Sequence, residues 1–185
     1  MPTIRPASRS DLEAIATLHV SSWQSAYRGI LPDPLLDRLH PEDRVRDWAR
    51  WLAEPEAHTF TAVERRQLVG FARIIPALDA HDPPPAACGF SHRYVAPESQ
   101  SMGVGQALLS RSFEDIVERG VERAVLWVLE KNYRARAFYE RAGFRLDGAR
   151  RVDAEFPDAQ LNALASSVNN LVATVESGLT ETTSV

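Results

Sequence analysis

One cysteine, Cys88, is all that this 185-residue chain carries, so no disulfide can form within it. Metal-ligand spacing is missing too. The five histidines, at positions 19, 40, 58, 81 and 92, never fall in a His-x-x-x-His arrangement, and no metal site is expected. No run of about 18 apolar residues occurs, so nothing reads as a membrane span. The opening Met-Pro-Thr-Ile-Arg-Pro lacks the apolar stretch of a secretory leader. Nor is there a basic excess: the formal net charge of -4 argues against general nucleic-acid binding. Internal repeats, charge tracts and the Gly-Lys-Ser/Thr of a P-loop are absent as well. These absences predict a protein of the cytoplasm with neither nucleic acid nor membrane as a partner.

What is present can fill one core, since 44% of the residues are hydrophobic. Ile4-Arg-Pro-Ala suits a short first strand. Ser10 is placed to cap a helix starting near Asp11, with Leu12, Ile15, Ala16 and Leu18 on one face. Asp33 to Leu39 reads as a short turn, and 42–53 as a helix with Val45, Trp48, Ala49 and Leu52 at helical spacing. Residues 59–63 and 68–75 read as strands joined by the polar turn 64–67. A proline-rich loop, 77–87, leads into a strand over 88–96. Cys88 reads there as a small buried residue. The periodicity predicts a helix over 106–119 with Leu109, Phe113 and Ile116 inward. The run Ala124 to Leu129 follows as a strand covered on both faces.

Two segments carry chemistry. The first is Tyr94-Val-Ala-Pro-Glu-Ser-Gln-Ser-Met-Gly-Val-Gly105 followed by Gln106. It runs from a strand end through a polar loop and two glycines into a helix. Glycine lacks a Cβ and lets the backbone approach a ligand closely. The helix start adds unpaired amides and the positive end of a dipole, an arrangement suited to phosphate or pyrophosphate. The second is Asn132-Tyr-Arg-Ala-Arg-Ala-Phe-Tyr-Glu-Arg-Ala-Gly-Phe144. Here Asn132 can cap a helix whose Ala135, Phe138, Tyr139 and Ala142 share a face.

Together these segments resemble the GNAT superfamily of acetyl-CoA-dependent N-acetyltransferases, in its bacterial-type branch. Gln100-Ser-Met-Gly103-Val-Gly105 matches the family's Gln/Arg-x-x-Gly-x-Gly/Ala loop. Asn132, Ala135, Phe138, Tyr139, Glu140, Gly143 and Phe144 match its second motif. The resemblance covers roughly residues 3–151. It implies an α/β (α+β) three-layer fold, with a mixed, mainly antiparallel sheet of about six or seven strands. The parallel pair would flank the 106–119 helix and splay apart. A single domain over 1–161 is expected, followed by an atypical segment, 162–185. In that segment Leu171 to Val175 can serve as a substitute strand, and the last eight or so residues read as disordered.

The same resemblance implies transfer of an acetyl group from acetyl-CoA, used as co-substrate without a metal, to a primary amine of a small molecule or peptide. The amides of Ser101, Met102, Gly103, Val104, Gly105 and Gln106 would hold the pyrophosphate, with Gln100 at the loop's entry. The main chain at Tyr94 and Val95 would meet the pantetheine arm, which Asn132 would also touch. Tyr139 would be the general acid toward the leaving thiolate. Trp23 and Tyr27, four residues apart, either line the acceptor pocket or pack in the core. A homodimer is compatible with these features.

The base is not legible. The family's glutamate position on the strand before the loop falls on Gly89. His92 on the same strand titrates in the right range, or else His92 and Arg93 are polar positions near the sheet surface. Two rival readings compete with catalysis on this fold. A dinucleotide-binding fold is disfavoured because Leu108 stands where a third glycine belongs and about eight residues separate strand end from Gly103. A non-catalytic acetyl-CoA-binding module on the same fold is the other.

Overall fold

The computed structural model describes residues 1–76, 87–151 and 168–174. The elements run β1 (Thr3–Pro6), α1 (Leu12–Ala26), α2 (Asp33–Asp37), α3 (Pro41–Trp51), β2 (His58–Glu64), β3 (Gln67–Pro76) and β4 (Ala87–Val95). They continue with α4 (Val104–Glu118), β5 (Arg123–Leu129), α5 (Tyr133–Arg141), β6 (Arg145–Arg151) and β7 (Val168–Thr174). One seven-stranded sheet takes the order β1-β2-β3-β4-β5-β7-β6. Every pairing is antiparallel except β4 with β5, the two strands that flank α4. This is the mixed, mainly antiparallel sheet expected, and it differs from the all-parallel sheet that a dinucleotide fold would need.

The helices cover both faces. On one, α4, α5 and the turn after α5 bury Leu108, Leu109, Ile116, Tyr139 and Phe144 against Phe60, Ile74, Phe90 and Leu126. On the other, α1 and α3 bring Ile15, Leu18 and Trp48 onto Phe71. The loop after α1 and helix α2 add Leu31 and Leu36, which pack with Trp23 and Leu129. Gly70 on β3 sets how closely α4 can sit. A Cβ there would lie 2.9 Å from Leu108 Cδ1 and 3.1 Å from Val104 Cγ1, so the glycine permits the helix start to lie directly on the sheet.

Two local expectations need correction. The cap before α1 comes from Ser8, not Ser10. Ser8 N donates to Asp11 Oδ2 at 2.7 Å and Ser8 Oγ reaches the same oxygen at 2.9 Å. Asp11 is the residue that decides this, because it also receives two hydrogen bonds from Arg5, at 2.8 and 2.7 Å. The Arg5 guanidinium, aided by Ser8, holds its carboxyl down at about 2. The turn at Asp33 closes into a five-residue helix, with Pro34 in its first turn, where a missing N–H costs nothing. The substitute strand expected over Leu171 to Val175 is present as β7, Val168–Thr174, which lies between β5 and β6. The terminal residues expected to be disordered lie outside the described residues, as does most of the proline-rich loop. No described helix is long and apolar enough to cross a membrane.

A bulge in β4 sets which way its side chains face. The pairing with β3 shifts between Ile74↔Phe90 and Arg73↔His92, leaving Ser91 as the extra residue. One extra residue reverses the alternation of all that follow. Cys88 and Phe90 therefore face α4 and α5, as do Arg93 and Val95, whereas His92 and Tyr94 face α1 and α3.

Candidate active site

β4 and β5 pair only from Ala87↔Arg123 to Phe90↔Leu126. Beyond that point β4 stays with β3 as far as Val95↔Gly70, while β5 pairs with β7 as far as Leu129↔Val168. A cleft of about 470 Å³ opens where they part. The Ala96 amide donates to Val69 O at 2.9 Å, and Tyr94 O also lies against Gly70 of β3. Backbone polar groups alternate sides along a strand, so those of Arg93 and Val95 turn to the cleft. Val95 O there accepts from Gln100 Nε2 at 3.3 Å, which ties the loop entry to the strand end.

The loop itself is kinked by left-handed backbone at Ser101 (φ 64°) and Gly103 (φ 81°). Open space surrounds the place where a Gly103 Cβ would stand, so the backbone angle, not crowding, selects glycine. The first amide of α4 to find an acceptor within the helix is that of Ala107, which donates to Gly103 O at 2.9 Å. The amides of Val104, Gly105 and Gln106 are therefore left without an intrahelical partner. Gly105 belongs to the first helical turn, and a Cβ there would make ordinary contact with Phe138, at 3.5 Å. The sequence places both glycines in the tight turn; only Gly103 is in it. The Val104 side chain is core and Met102 stands exposed, so neither side chain lines the cleft. Arg134 Nη2 reaches Ser101 Oγ at 3.5 Å, and Arg134 and Arg141 both border the cleft. Free amides, a helix start and the Arg134 guanidinium form a cradle whose chemistry fits a diphosphate.

On the other wall, Asn132 caps α5 by accepting from the Ala135 amide at 3.1 Å, and it also borders the cleft. The cap orients the helix whose last turn carries Tyr139. That tyrosine is buried, its ring edge-on to Phe138 and Phe144. Its Oη accepts from Arg93 Nε at 3.3 Å. Arg93 is expected near the sheet surface by alternation alone; the bulge at Ser91 turns it inward instead. No signal in the sequence marks that bulge.

Toward α1 the cleft is bordered by Ser22, Ser25, Ala26 and Tyr27. Trp23 and Tyr27 part company here. Trp23 is core, and its Nε1 donates to Tyr94 Oη at 2.6 Å. Tyr27 reaches the cleft with its Oη 3.3 Å from Tyr94 Oη. His92 does not reach it. It is buried against Trp51 at 4.7 Å and His19 at 5.0 Å between ring centroids. Burial, then Arg73 and Arg44, lower it to about 3, which leaves it a poor base. No aspartate or glutamate is among the described residues that line the cleft. Cys88 is buried on β4, and burial raises its thiol.

Known proteins resemble this chain in sequence and in fold. Residues 15–144 match the model of the acetyltransferase (GNAT) family. A probable N-acetyltransferase of Mycobacterium tuberculosis is 31% identical over 156 residues, covering 78% of this chain and 80% of that protein. An uncharacterized N-acetyltransferase of Bacillus subtilis is 29% identical over 137 residues, covering 71% and 74%. In fold, the chain is similar to the PaiA N-acetyltransferase of Thermoplasma acidophilum, solved in complex with coenzyme A. The TM-score is 0.72 at 19% identity, over 94% of this chain and 99% of that one. With a family model matched over more than half its length and the splayed strands that the motif pair implies, this chain belongs to the GNAT acetyltransferase family.

Proposed function

We propose that the protein transfers the acetyl group of acetyl-CoA directly to a primary amine of a small molecule or peptide. The observation that carries this reading is the parting of β4 and β5. Around one cleft lie the amides of 104–106, the cleft-facing backbone of Val95 and the phenol of Tyr139. The diphosphate would lie on the loop amides with Arg134 beside it. The Val95 edge would pair with the amide-bearing arm. Acetyl-CoA supplies an activated acyl group: the amine nitrogen bonds to the acyl carbon, the C–S bond breaks, and sulfur leaves with the electron pair. Tyr139 Oη would then give that sulfur its proton. Tyr27 and the small α1 residues Ser22, Ser25 and Ala26 would shape the acceptor side. With no carboxylate among the described lining residues, the amine sheds its proton to water in the cleft.

The test is release of free CoA from acetyl-CoA across a panel of amino acids, polyamines, aminoglycosides and peptide N-termini. Acceptor-dependent release with a matching acetylated product supports the reading. Tight acetyl-CoA binding by calorimetry with no amine-dependent release across the panel would replace it with a binding module.

A further inference from the structure

Arg93 does more than border the cleft. Its guanidinium lies over the Tyr139 ring at 4.4 Å and the Phe138 ring at 4.1 Å. Its Nε donates to Tyr139 Oη at 3.3 Å and its Nη1 donates to Gly105 O at 3.3 Å. One side chain thus links the start of α4 to the proposed proton donor on α5. A guanidinium has donors and no acceptor. Tyr139 Oη must therefore spend a lone pair on Arg93, and the phenol's own hydrogen has to point elsewhere. No described carboxylate lines the cleft to neutralise the arginine.

We infer that Arg93 is a positioning residue that aims the Tyr139 proton into the cleft and steadies the oxygen once the proton has gone. This rests on Tyr139 being the acid of the proposed reaction. As the C–S bond breaks, the sulfur takes the phenolic proton and Tyr139 Oη keeps the electron pair as a phenolate beside Arg93. The proton shed by the attacking amine returns to that oxygen through water, so each turnover leaves amide, free thiol and neutral tyrosine. A charge-assisted hydrogen bond is the strong kind, and the partly buried setting strengthens it further.

Hydroxylamine suits the test because it is largely unprotonated at neutral pH and needs neither a base nor the natural acceptor. CoA release from acetyl-CoA at fixed hydroxylamine is measured for wild type, Tyr139→Phe, Arg93→Met, Arg93→Lys and the double variant that combines Tyr139→Phe with Arg93→Met. Arg93→Met is expected to slow turnover roughly tenfold or more with the KM for acetyl-CoA little changed. Arg93→Lys, which keeps the charge and one donor, should recover part of the loss. In the Tyr139→Phe background Arg93→Met should cost almost nothing further. Apart from activity, the Arg93 Nε–H resonance in a ¹H–¹⁵N spectrum, assigned by its absence from the Arg93 variants, should move in Tyr139→Phe. Equal slowing by Arg93→Met in both backgrounds, full activity of Arg93→Met, or an unmoved Nε–H resonance would overturn the inference alone. Full activity of Tyr139→Phe would instead remove the acid itself, and this inference with it. Should Arg93→Met fail to fold by circular dichroism, Arg93→Lys and the resonance decide.

Discussion

The indole N–H of Trp48 donates to Nδ1 of His19 at 3.1 Å. Trp48 can only donate, so Nδ1 is the bare nitrogen of a neutral imidazole and the proton sits on Nε2. His19 in turn stacks on Tyr94, centroid to centroid 5.2 Å, and meets His92 edge-on. Two histidines thus sit neutral inside one aromatic cluster behind the cleft. Burial is the main cause, lowering His19 to about 2 and His92 to about 3.

That cluster predicts an unusual acid sensitivity. The unfolded chain protonates these rings near 6.5, whereas the folded protein resists until far lower pH. Below about 6.5 the unfolded state therefore binds more protons, and stability falls as pH falls. Each histidine contributes a slope of about 1.4 kcal/mol per pH unit at most. Urea unfolding from pH 7.5 to 5 should show the decline before carboxylates titrate, and His92→Phe should flatten it. A stability curve that is level down to pH 5 would contradict the neutral pair.

Gly103 and Gly105 should respond differently to substitution. A β-branched residue at Gly103 must adopt φ near 81°, a strained angle for any side chain with a Cβ. Gly103→Val should weaken acetyl-CoA binding about tenfold or more, equivalent to roughly 1.4 kcal/mol. Gly105→Ala adds only ordinary contacts with Phe138 and Val95 and should bind within about threefold of wild type, roughly 0.7 kcal/mol. Calorimetry on both variants decides the matter; equal losses would mean that the turn is not the binding element.

Gly70→Ala should act at a distance. The added methyl would stand 2.9 Å from Leu108 Cδ1, 3.1 Å from Val104 Cγ1 and 3.2 Å from Tyr94 O. Leu108 can rotate, but the strand carbonyl cannot retreat without disturbing β4. Overpacking of this kind costs about 1–3 kcal/mol. The α4 start should lift with it, so the urea midpoint and acetyl-CoA affinity are both expected to fall. Loss of stability with unchanged affinity would separate the packing from the loop.

Trp23→Phe keeps a ring in the core but removes the donor to Tyr94 Oη, now at 2.6 Å. The expected stability loss is about 1 kcal/mol from the hydrogen bond, plus the smaller ring. Because Tyr94 Oη is 3.3 Å from Tyr27 Oη, on the side proposed to take the acceptor, the KM for an amine acceptor should rise. Acetyl-CoA affinity should stay the same. A change in acetyl-CoA affinity alone would assign this tyrosine pair to the other substrate.

The parts of the fold that were legible are those whose cause is local. Asn132 before Tyr133-Arg-Ala135 is a cap by residue type alone, and the structure makes that bond. The strand, glycine loop and helix from Tyr94 onward follow from turn chemistry, and the apolar run 124–129 from burial on both faces. The parts that were not legible depend on partners far along the chain. The extra residue Ser91 leaves no mark in composition, yet it decides that Arg93 meets Tyr139 and that His92 meets Trp51. Ser8 and Ser10 are equally good caps by type, and only the Arg5–Asp11 pair chooses between them. The start of β7 at Val168, ahead of the expected Leu171, depends on pairing with β5 and β6, which a local pattern cannot supply.

The fork between β4 and β5 also has a kinetic meaning. Each strand already has a neighbour beyond the branch point, β3 on one side and β7 on the other. No strand pairing has to be unzipped before an extended amide chain can slide in, and the bond already made at the Val95 carbonyl is a side-chain one, from Gln100. Arrival is therefore expected as a single concentration-dependent phase in stopped-flow mixing, with no slow isomerisation preceding it.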